Sequence, residues 1–245
     1  MAFDLSSISS TKQGKPPRVI VYGEHGLGKT TFAAGAPAPI FIPTEDGLDS
    51  IDAKAFPLCQ SYEDILSAIG TLYNEPHDFR TAVLDSLDWA EALIAKKVEA
   101  EFSEADRSYG KDRSLIANFM REMLEGLNAL RLDRGMAIVL TAHCEIRKFD
   151  DPTGDSYDRF ELKLSKHCKP LVQEWADVVG FTQIKAIVRK EDAGFNKKRG
   201  RAIDQGERVL RTEPAAAYDA KNRYGLPPEL PLLWSAFADS LSEAG

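Results

Sequence analysis

Gly23-Glu24-His25-Gly26-Leu27-Gly28-Lys29-Thr30 fits the spacing GxxxxGK[ST] in full. Glycines at these positions let successive backbone N–H groups turn toward one concavity, which suits an anion. A lysine directly ahead of a hydroxyl then brings charge to the β- and γ-phosphates of a nucleotide, and the hydroxyl of Thr30 is a ligand for Mg2+. Thr31 continues the cradle into the next turn. The motif needs a strand before it and a helix after it to work. RVIVYG (18–23) is a β-branched run closing on glycine, and the residues after Lys29 form a short helix stopped by Gly35 and Pro37. The chemistry on offer is binding of the phosphates of a nucleotide with Mg2+.

A phosphate loop of this kind works with a carboxylate on the metal side. Asp85 closes the apolar run AVL and has the place of a Walker B aspartate, a second ligand for Mg2+. Aspartate also ends many strands for turn reasons alone, so the assignment leans on the loop. Hydrolysis further requires a group that polarises the attacking water. The residue after Asp85 is Ser86, which leaves Glu45 as the candidate. It follows the strand PIFIP (39–43), and in a parallel sheet the carboxyl ends of neighbouring strands converge on the ligand. A solvated loop acid is the alternative reading of Glu45.

The elements that must hold these residues read as α/β. Strands are expected at 18–23, 39–43, 81–86 and 136–143, each a short apolar run. Helices are expected at 61–73 with Ser61 as N-cap, at 87–102, and at 115–132. Alternation of this kind gives a mostly parallel sheet flanked by helices. After about residue 180 the texture changes: GFTQIKAIVRK and RAIDQGERVLRTE have strand composition broken by glycine and charge, which predicts antiparallel C-terminal hairpins. A last helix is expected at 230–242. Residues 1–17, polar and serine-rich, read as a mobile arm, and 18–245 as a single core domain.

Bulk composition narrows the class further. The formal charge of −7 over 245 residues argues against coating nucleic acid by overall charge. The stretch from Lys185 to Arg211 is nevertheless net +5 against −12 for the remainder, and a basic segment of this sort tracks phosphates. Three cysteines without CxxC spacing and four histidines suggest neither a zinc site nor a disulfide framework, which fits the cytoplasm. No apolar run reaches the ~20 residues a bilayer crossing needs, so no membrane partner is expected.

With these residues in place, a family resemblance becomes specific. FIPTEDGLD (41–49) resembles the RecA family's strand and turn bearing its catalytic glutamate, with Glu45 on that position, and VLDS (83–86) resembles its Walker B. TAH (141–143) occupies its polar sensor position; the family often has Gln or Asn there, and a buried core histidine is the other reading of His143. The match runs from about 18 to 225 and leaves no room for the extra DNA-binding domains of recombinases. What remains is similar to the bare-core RecA-like ATPases of bacteriophages used in recombination and single-strand annealing, which YGK (109–111) and AKNRYGLP (220–227) also fit. The resemblance implies single-stranded DNA, further copies of the chain in a ring or filament, and a single-strand DNA-binding protein as partners.

It also implies where DNA sits: two loops, one after the Walker B region and one after the sensor strand. These are expected at about 103–114, with Arg107, Tyr109, Lys111 and Arg113, and at about 145–160, with Arg147, Lys148, Phe149, Tyr157 and Arg159. Basic residues interleaved with aromatics suit stacking on unpaired bases; solvated loops of mixed charge are the bland alternative, which Asp150, Asp151, Asp155 and Asp158 favour. The run NKKRGR, with Lys197, Lys198 and Arg199, is a phosphate-contact candidate or an ordinary hairpin tip. Lys221 and Arg223, in K-x-R-x-G, resemble the trans-acting finger of RecA-like ring ATPases, a prong from one subunit that completes its neighbour's site; a solvated charge pair is the alternative. Three rivals stay open: a hexameric helicase-type motor, for which 17 preceding residues leave no N-terminal collar, a small-molecule kinase, and an annealing protein whose ATP site is structural.

Overall fold

β1 (Arg18–Gly23) is buried along nearly its whole length because its side chains alternate between two separate cores. Ile20 and Tyr22 point to one face of the sheet, Val19 and Val21 to the other, as a two-residue period requires. The protein is described by a computed structural model covering residues 14–192 and 198–244. β2 (Pro39–Pro43), β4 (Thr81–Asp85) and the first half of β5 (Ala137–Phe149) are equally buried. That is why they read as continuous apolar runs rather than alternating ones.

Among the described residues the sheet has ten strands. Its parallel part runs β3 (Lys54–Ala55), β2, β4, β5, β1 and β7 (Val178–Asp192). β5 thus lies between the strand that leads into the glycine loop and the strand that ends in Asp85. Beyond β7 the sheet turns antiparallel through β8 (Lys198–Arg211) and β10 (Glu229–Pro231), while β9 (Lys221–Asn222) pairs with the first residues of β7. The fold is α/β with a mostly parallel sheet flanked by helices and antiparallel C-terminal strands.

Four helices cover the Ile20/Tyr22 face. α2 (Tyr62–Asn74) starts at a capping box: Ser61 Oγ accepts from Asp64 N at 3.1 Å and Asp64 Oδ2 accepts from Ser61 N at 2.9 Å. α3 (Leu87–Glu101), α5 (Lys111–Asp133) and α6 (Cys168–Trp175) complete this layer. α5 buries Ala117, Met120, Met123, Leu124, Leu127 and Leu130, the three-and-four spacing of one helix stripe. On the opposite face lie α1 (Lys29–Ala34) and α7 (Trp234–Ala244), whose Phe32, Trp234 and Phe237 form an aromatic cluster with ring centroids 5.3–5.8 Å apart.

Several expectations change here. The stretch at 103–114 is not a loop: α4 (Glu104–Arg107) and a 3-10 turn at Ser108–Gly110 lead directly into α5, which begins four residues before Leu115. Exposed helical turns carry no apolar stripe, so their sequence looks like loop. The stretch at 145–160 is a hairpin, because β5 runs on past the sheet to Phe149 and returns as β6 (Tyr157–Leu162). Burial falls off where β5 leaves the sheet, after His143. The final helix starts at Trp234, since β10 takes the residues just before it. Of the expected arm, residues 1–13 lie outside the described residues, and its end is fixed: Ile138 N donates to Pro17 O at 2.9 Å.

Candidate active site

The glycines of the loop meet distinct demands. A Cβ on Gly23 would lie 2.2 Å from Thr182 Oγ1 and 2.7 Å from Thr182 O, so β7 presses too close for any side chain. Gly26 and Gly28 take φ of 71° and 96°, the left-handed region. Leu27 is the buried anchor of the turn, while Glu24, His25 and Thr31 are exposed. The chain then enters α1, whose first N–H groups have no intrahelical acceptor.

Lys29 is 7% exposed and its Nζ donates to Gly23 O at 3.2 Å and Glu24 O at 2.8 Å. Among the described residues no carboxylate stands within 4.0 Å of it. Burial pushes the ammonium below the usual lysine range, against the pull of Glu45 and Asp85. A buried cation held by carbonyls alone is costly unless an anion completes its shell.

Asp85, at the end of β4, is buried and accepts from the Thr141 hydroxyl through Oδ1. That bond fixes the carboxylate and leaves Oδ2 for another ligand. Thr44 locks the neighbouring backbone, accepting from Ser86 N at 2.8 Å and donating to Ser86 O at 2.6 Å. Glu45 follows directly, so a hydroxyl between two strand ends sets its position. Thr30, half-buried, lines the same cavity as Asp85. One hydroxyl and one carboxylate fit Mg2+, which keeps several waters and takes phosphate oxygens for the rest.

His143, at the point where β5 leaves the sheet, is buried between two acids. Its Nδ1 lies 2.9 Å from Asp88 Oδ2 and its Nε2 3.9 Å from Glu45 Oε1. Its ring lies tilted against that of His25 with centroids 4.0 Å apart, and His143 holds the His25 imidazole below the usual histidine range. Burial raises the Glu45 carboxyl above the usual glutamate range; His143 pulls it down and Asp85 pushes it up further. Gly26, Lys29, Thr30, Glu45, Asp85 and His143 all line one cavity of about 290 Å³. Four adjacent strand ends therefore deliver residues far apart in sequence to one point.

Three contributors escaped the sequence reading. Thr141 and Asp88 carry local signals, one two residues before His143 and the other in the first turn after Asp85. Arg208 has none. It comes from β8, yet its Nη1 would lie 3.1 Å from a Cβ on Gly28, and it lines the same cavity.

The expected DNA contacts are scattered. Arg107 is half-buried, its Nε donating to Phe102 O at 3.0 Å, whereas Tyr109, Lys111 and Arg113 are exposed around the start of α5. On β5, Arg147 and Phe149 share one side and Lys148 takes the other, since they sit on a strand. Arg147 pairs with Glu145 at 2.7 Å and donates to Leu164 O at 3.3 Å. Phe149 packs on Tyr157 at 5.3 Å and under Arg159 at 5.1 Å. Only Lys148 of these is open to solvent. Lys197 and the side chains of Lys198 and Arg199 lie outside the described residues.

Lys221 and Arg223 do not form a prong held away from the body. Lys221 Nζ donates to Gln173 O at 2.7 Å, Glu174 O at 2.9 Å and Ala176 O at 2.7 Å, capping the end of α6. Arg223 reaches the same Glu174 carbonyl at 3.2 Å and Asp177 at 3.4 Å, with its side chain half exposed. Asp177 also binds Arg18, at the start of β1. The pair therefore sits at the amino edge of the sheet, five strand residues and roughly 17 Å from the glycine loop of its own chain.

A strand, a glycine loop and a helix wrapped around a buried lysine, with a metal-side carboxylate on a nearby strand end, define a P-loop nucleotide site. The AAA domain family model matches residues 15–224, and the chain belongs to that family of P-loop ATPases. A curated relative, the SPbeta prophage-derived uncharacterized protein YorG of Bacillus subtilis (strain 168), is 25% identical over 173 residues, covering 67% of this chain and 52% of the relative. The chain thus spans about half the length of that relative. No helix among the described residues is long and apolar enough to cross a membrane.

Proposed function

We propose that the protein hydrolyses ATP with Mg2+ as a homo-oligomer, ring or filament, and acts on single-stranded DNA in phage-type recombination or strand annealing in the host cytoplasm. The observation that carries the ATPase reading is the convergence of Lys29, Thr30, Asp85, Glu45 and His143 on one cavity. Lys29 balances the γ-phosphate charge. Thr30 and Asp85 hold Mg2+, which neutralises charge on the β- and γ-oxygens when bound with ATP. Glu45 Oε1 and His143 Nε2, at 3.9 Å too far for a direct hydrogen bond, are spaced to share a water, and Glu45 takes its proton as it attacks.

DNA enters the proposal through two features. Tyr109, Lys111 and Arg113 stand exposed together at the start of α5, and the β5–β6 hairpin continues the strand that carries His143. Strain on that hairpin reaches His143 through one continuous strand, which would make hydrolysis sensitive to DNA. The prophage origin of the relative agrees with a phage role. ATP turnover measured with and without single-stranded DNA tests the reading, with Lys29→Ala as control. Turnover by Lys29→Ala near wild type would sink the P-loop assignment. Turnover indifferent to DNA would sink the DNA role and favour a kinase or a structural ATP site.

A further inference from the structure

The phosphate cavity does not end at Thr31. Past Gly28, Thr31 and Arg208, which line both spaces, lies a second cleft of about 570 Å³. Leu27, Val209, Leu230 and Leu232 make most of its lining apolar, Glu207 and Glu229 add two carboxylates, and it runs between the glycine loop and the β8–β10 edge of the sheet. Its size lies in the range of small-molecule sites. The flat face of a nucleotide's base suits the apolar part of this lining, and its phosphates then lead past Arg208 to Lys29.

Arg208 is placed there by the sheet. Leu210, two residues on, packs in the core on the α1 face, so strand alternation turns Arg208 to that same face. Its backbone is pinned on both sides: it pairs with Ile184 of β7, and its carbonyl accepts from Leu232 N at 3.0 Å. Among the described residues no carboxylate stands within 4.0 Å of its guanidinium, in contrast to Arg211, which Glu229 binds at 2.6 Å. A fixed backbone, an exposed fork of donors and no acid partner beside a phosphate cradle describe a group waiting for an anion.

We infer that Arg208 is a nucleotide ligand in cis, gripping the phosphates at the junction of the glycine loop and a nucleoside cleft. It stands over Gly28 and Thr31. Asp85, Glu45 and His143 mark the γ-phosphate and metal end of the cavity, and Arg208 joins it to the apolar cleft instead. It therefore grips the part of the nucleotide that ATP and ADP share, and differs in kind from a finger that acts on the γ-phosphate. The inference rests on the P-loop reading above.

The test is equilibrium binding of fluorescent ATP and ADP to wild type, Arg208→Ala and Arg208→Lys. Arg208→Ala should weaken both nucleotides by the same factor, about 10–100-fold for loss of charge-assisted hydrogen bonds. Arg208→Lys, which keeps the charge and loses the fork, should fall between. Thermal unfolding without nucleotide should match wild type, since the side chain is exposed and makes no ion pair among the described residues. If wild type binds neither nucleotide, the P-loop reading itself falls. If wild type binds and both variants bind as tightly, this inference alone falls. A loss confined to ATP overturns it as well, because Arg208 would then serve the γ-phosphate.

Discussion

His143 and Asp88 are held edge to edge: His143 Nδ1 lies 2.9 Å from Asp88 Oδ2, and His143 N donates to Asp88 Oδ1 at 3.0 Å. Burial opposes the charge on Asp88, but the hydrogen bonds from His143 outweigh it and hold the carboxyl below the usual aspartate range. An ionised Asp88 accepts from Nδ1–H, which fixes the ring with Nε2 turned toward Glu45. Asp88→Asn offers a donor where an acceptor stood and releases the ring from that orientation. Turnover should fall about 10–100-fold while ATP affinity stays near wild type. Unchanged turnover in a steady-state assay would show that the Asp88-held orientation of His143 is irrelevant to hydrolysis.

Glu45→Gln keeps the side-chain shape and loses the base, so it should bind ATP and hydrolyse it about 10²–10⁴-fold more slowly. Burial raises the Glu45 carboxyl above its ordinary range, and the base works only when ionised. The rate should therefore drop as pH falls through a value higher than that of a solvated glutamate. A pH–rate profile shows this directly. An acidic limb at or below the ordinary glutamate range would place the base elsewhere.

Asp177 ties the amino edge of the sheet together, binding Arg18 at 2.8 Å and Arg131 at 3.4 Å while only 5% exposed. Burial pushes this carboxyl up, and the Arg18 hydrogen bonds more than offset it, so its folded value lies below the usual aspartate range. A depressed carboxyl gives stability that is complete above the unfolded value and is lost as pH falls through the folded one. Asp177→Ala leaves half-buried Arg18 and Arg131 without their acid and should cost about 2–4 kcal/mol. Chemical denaturation at neutral pH reads this, and the gap to wild type should close in acid. A gap that persists at low pH would assign the loss to packing alone.

The parallel sheet and the glycine loop were legible because strands buried on both faces are short apolar runs, and because the loop motif is local in sequence. Ser61 was legible as a cap for the same reason. What failed was exposed structure. Glu104–Arg107 is helical without an apolar stripe, and YDRFEL pairs with EIRKF across a hairpin whose mixed charge mimics a loop. Arg208 meets the glycine loop from two strands away, 180 residues later, so no local pattern announces it. Lys221 looked like a free cation because the α6 carbonyls it caps come from a helix that the sequence reading did not identify.

Tyr109 and Phe149, alike as candidates for stacking on bases, should now separate. Tyr109 is fully exposed at φ 54° and contributes nothing to the core. Tyr109→Ala should cost roughly 1–3 kcal/mol of single-stranded DNA affinity with no loss of stability. Phe149 already packs on Tyr157 and Arg159, so Phe149→Ala should loosen the hairpin and lower the thermal midpoint first. Fluorescence anisotropy with labelled oligonucleotide, run beside thermal melts, sorts the two. Full DNA affinity in Tyr109→Ala would remove the start of α5 from the DNA path.

Lys221 and Arg223 should separate too, and here the oligomer decides. Lys221 spends three donors on the end of α6, so Lys221→Ala leaves carbonyls unmet and should cost about 1–3 kcal/mol of stability. Arg223 is half exposed with one loose ion pair and one hydrogen bond to Glu174 O, and its removal should cost about 1 kcal/mol or less. Five strand residues separate this edge from the glycine loop, so Arg223 cannot serve the site of its own chain. A neighbouring copy in a ring or filament is what would bring it to a γ-phosphate, where such a finger is worth about 10³–10⁵ in rate. Arg223→Ala should then bind ATP normally and hydrolyse poorly. Mixed with Glu45→Gln, it should regain part of the activity, because the two defects lie at opposite edges of a subunit and some interfaces in a mixture carry neither. The measurement is turnover across mixing ratios, with co-assembly verified by size. Mixtures that assemble and show no rescue at any ratio would remove Arg223 from catalysis and leave it a surface partner of Asp177.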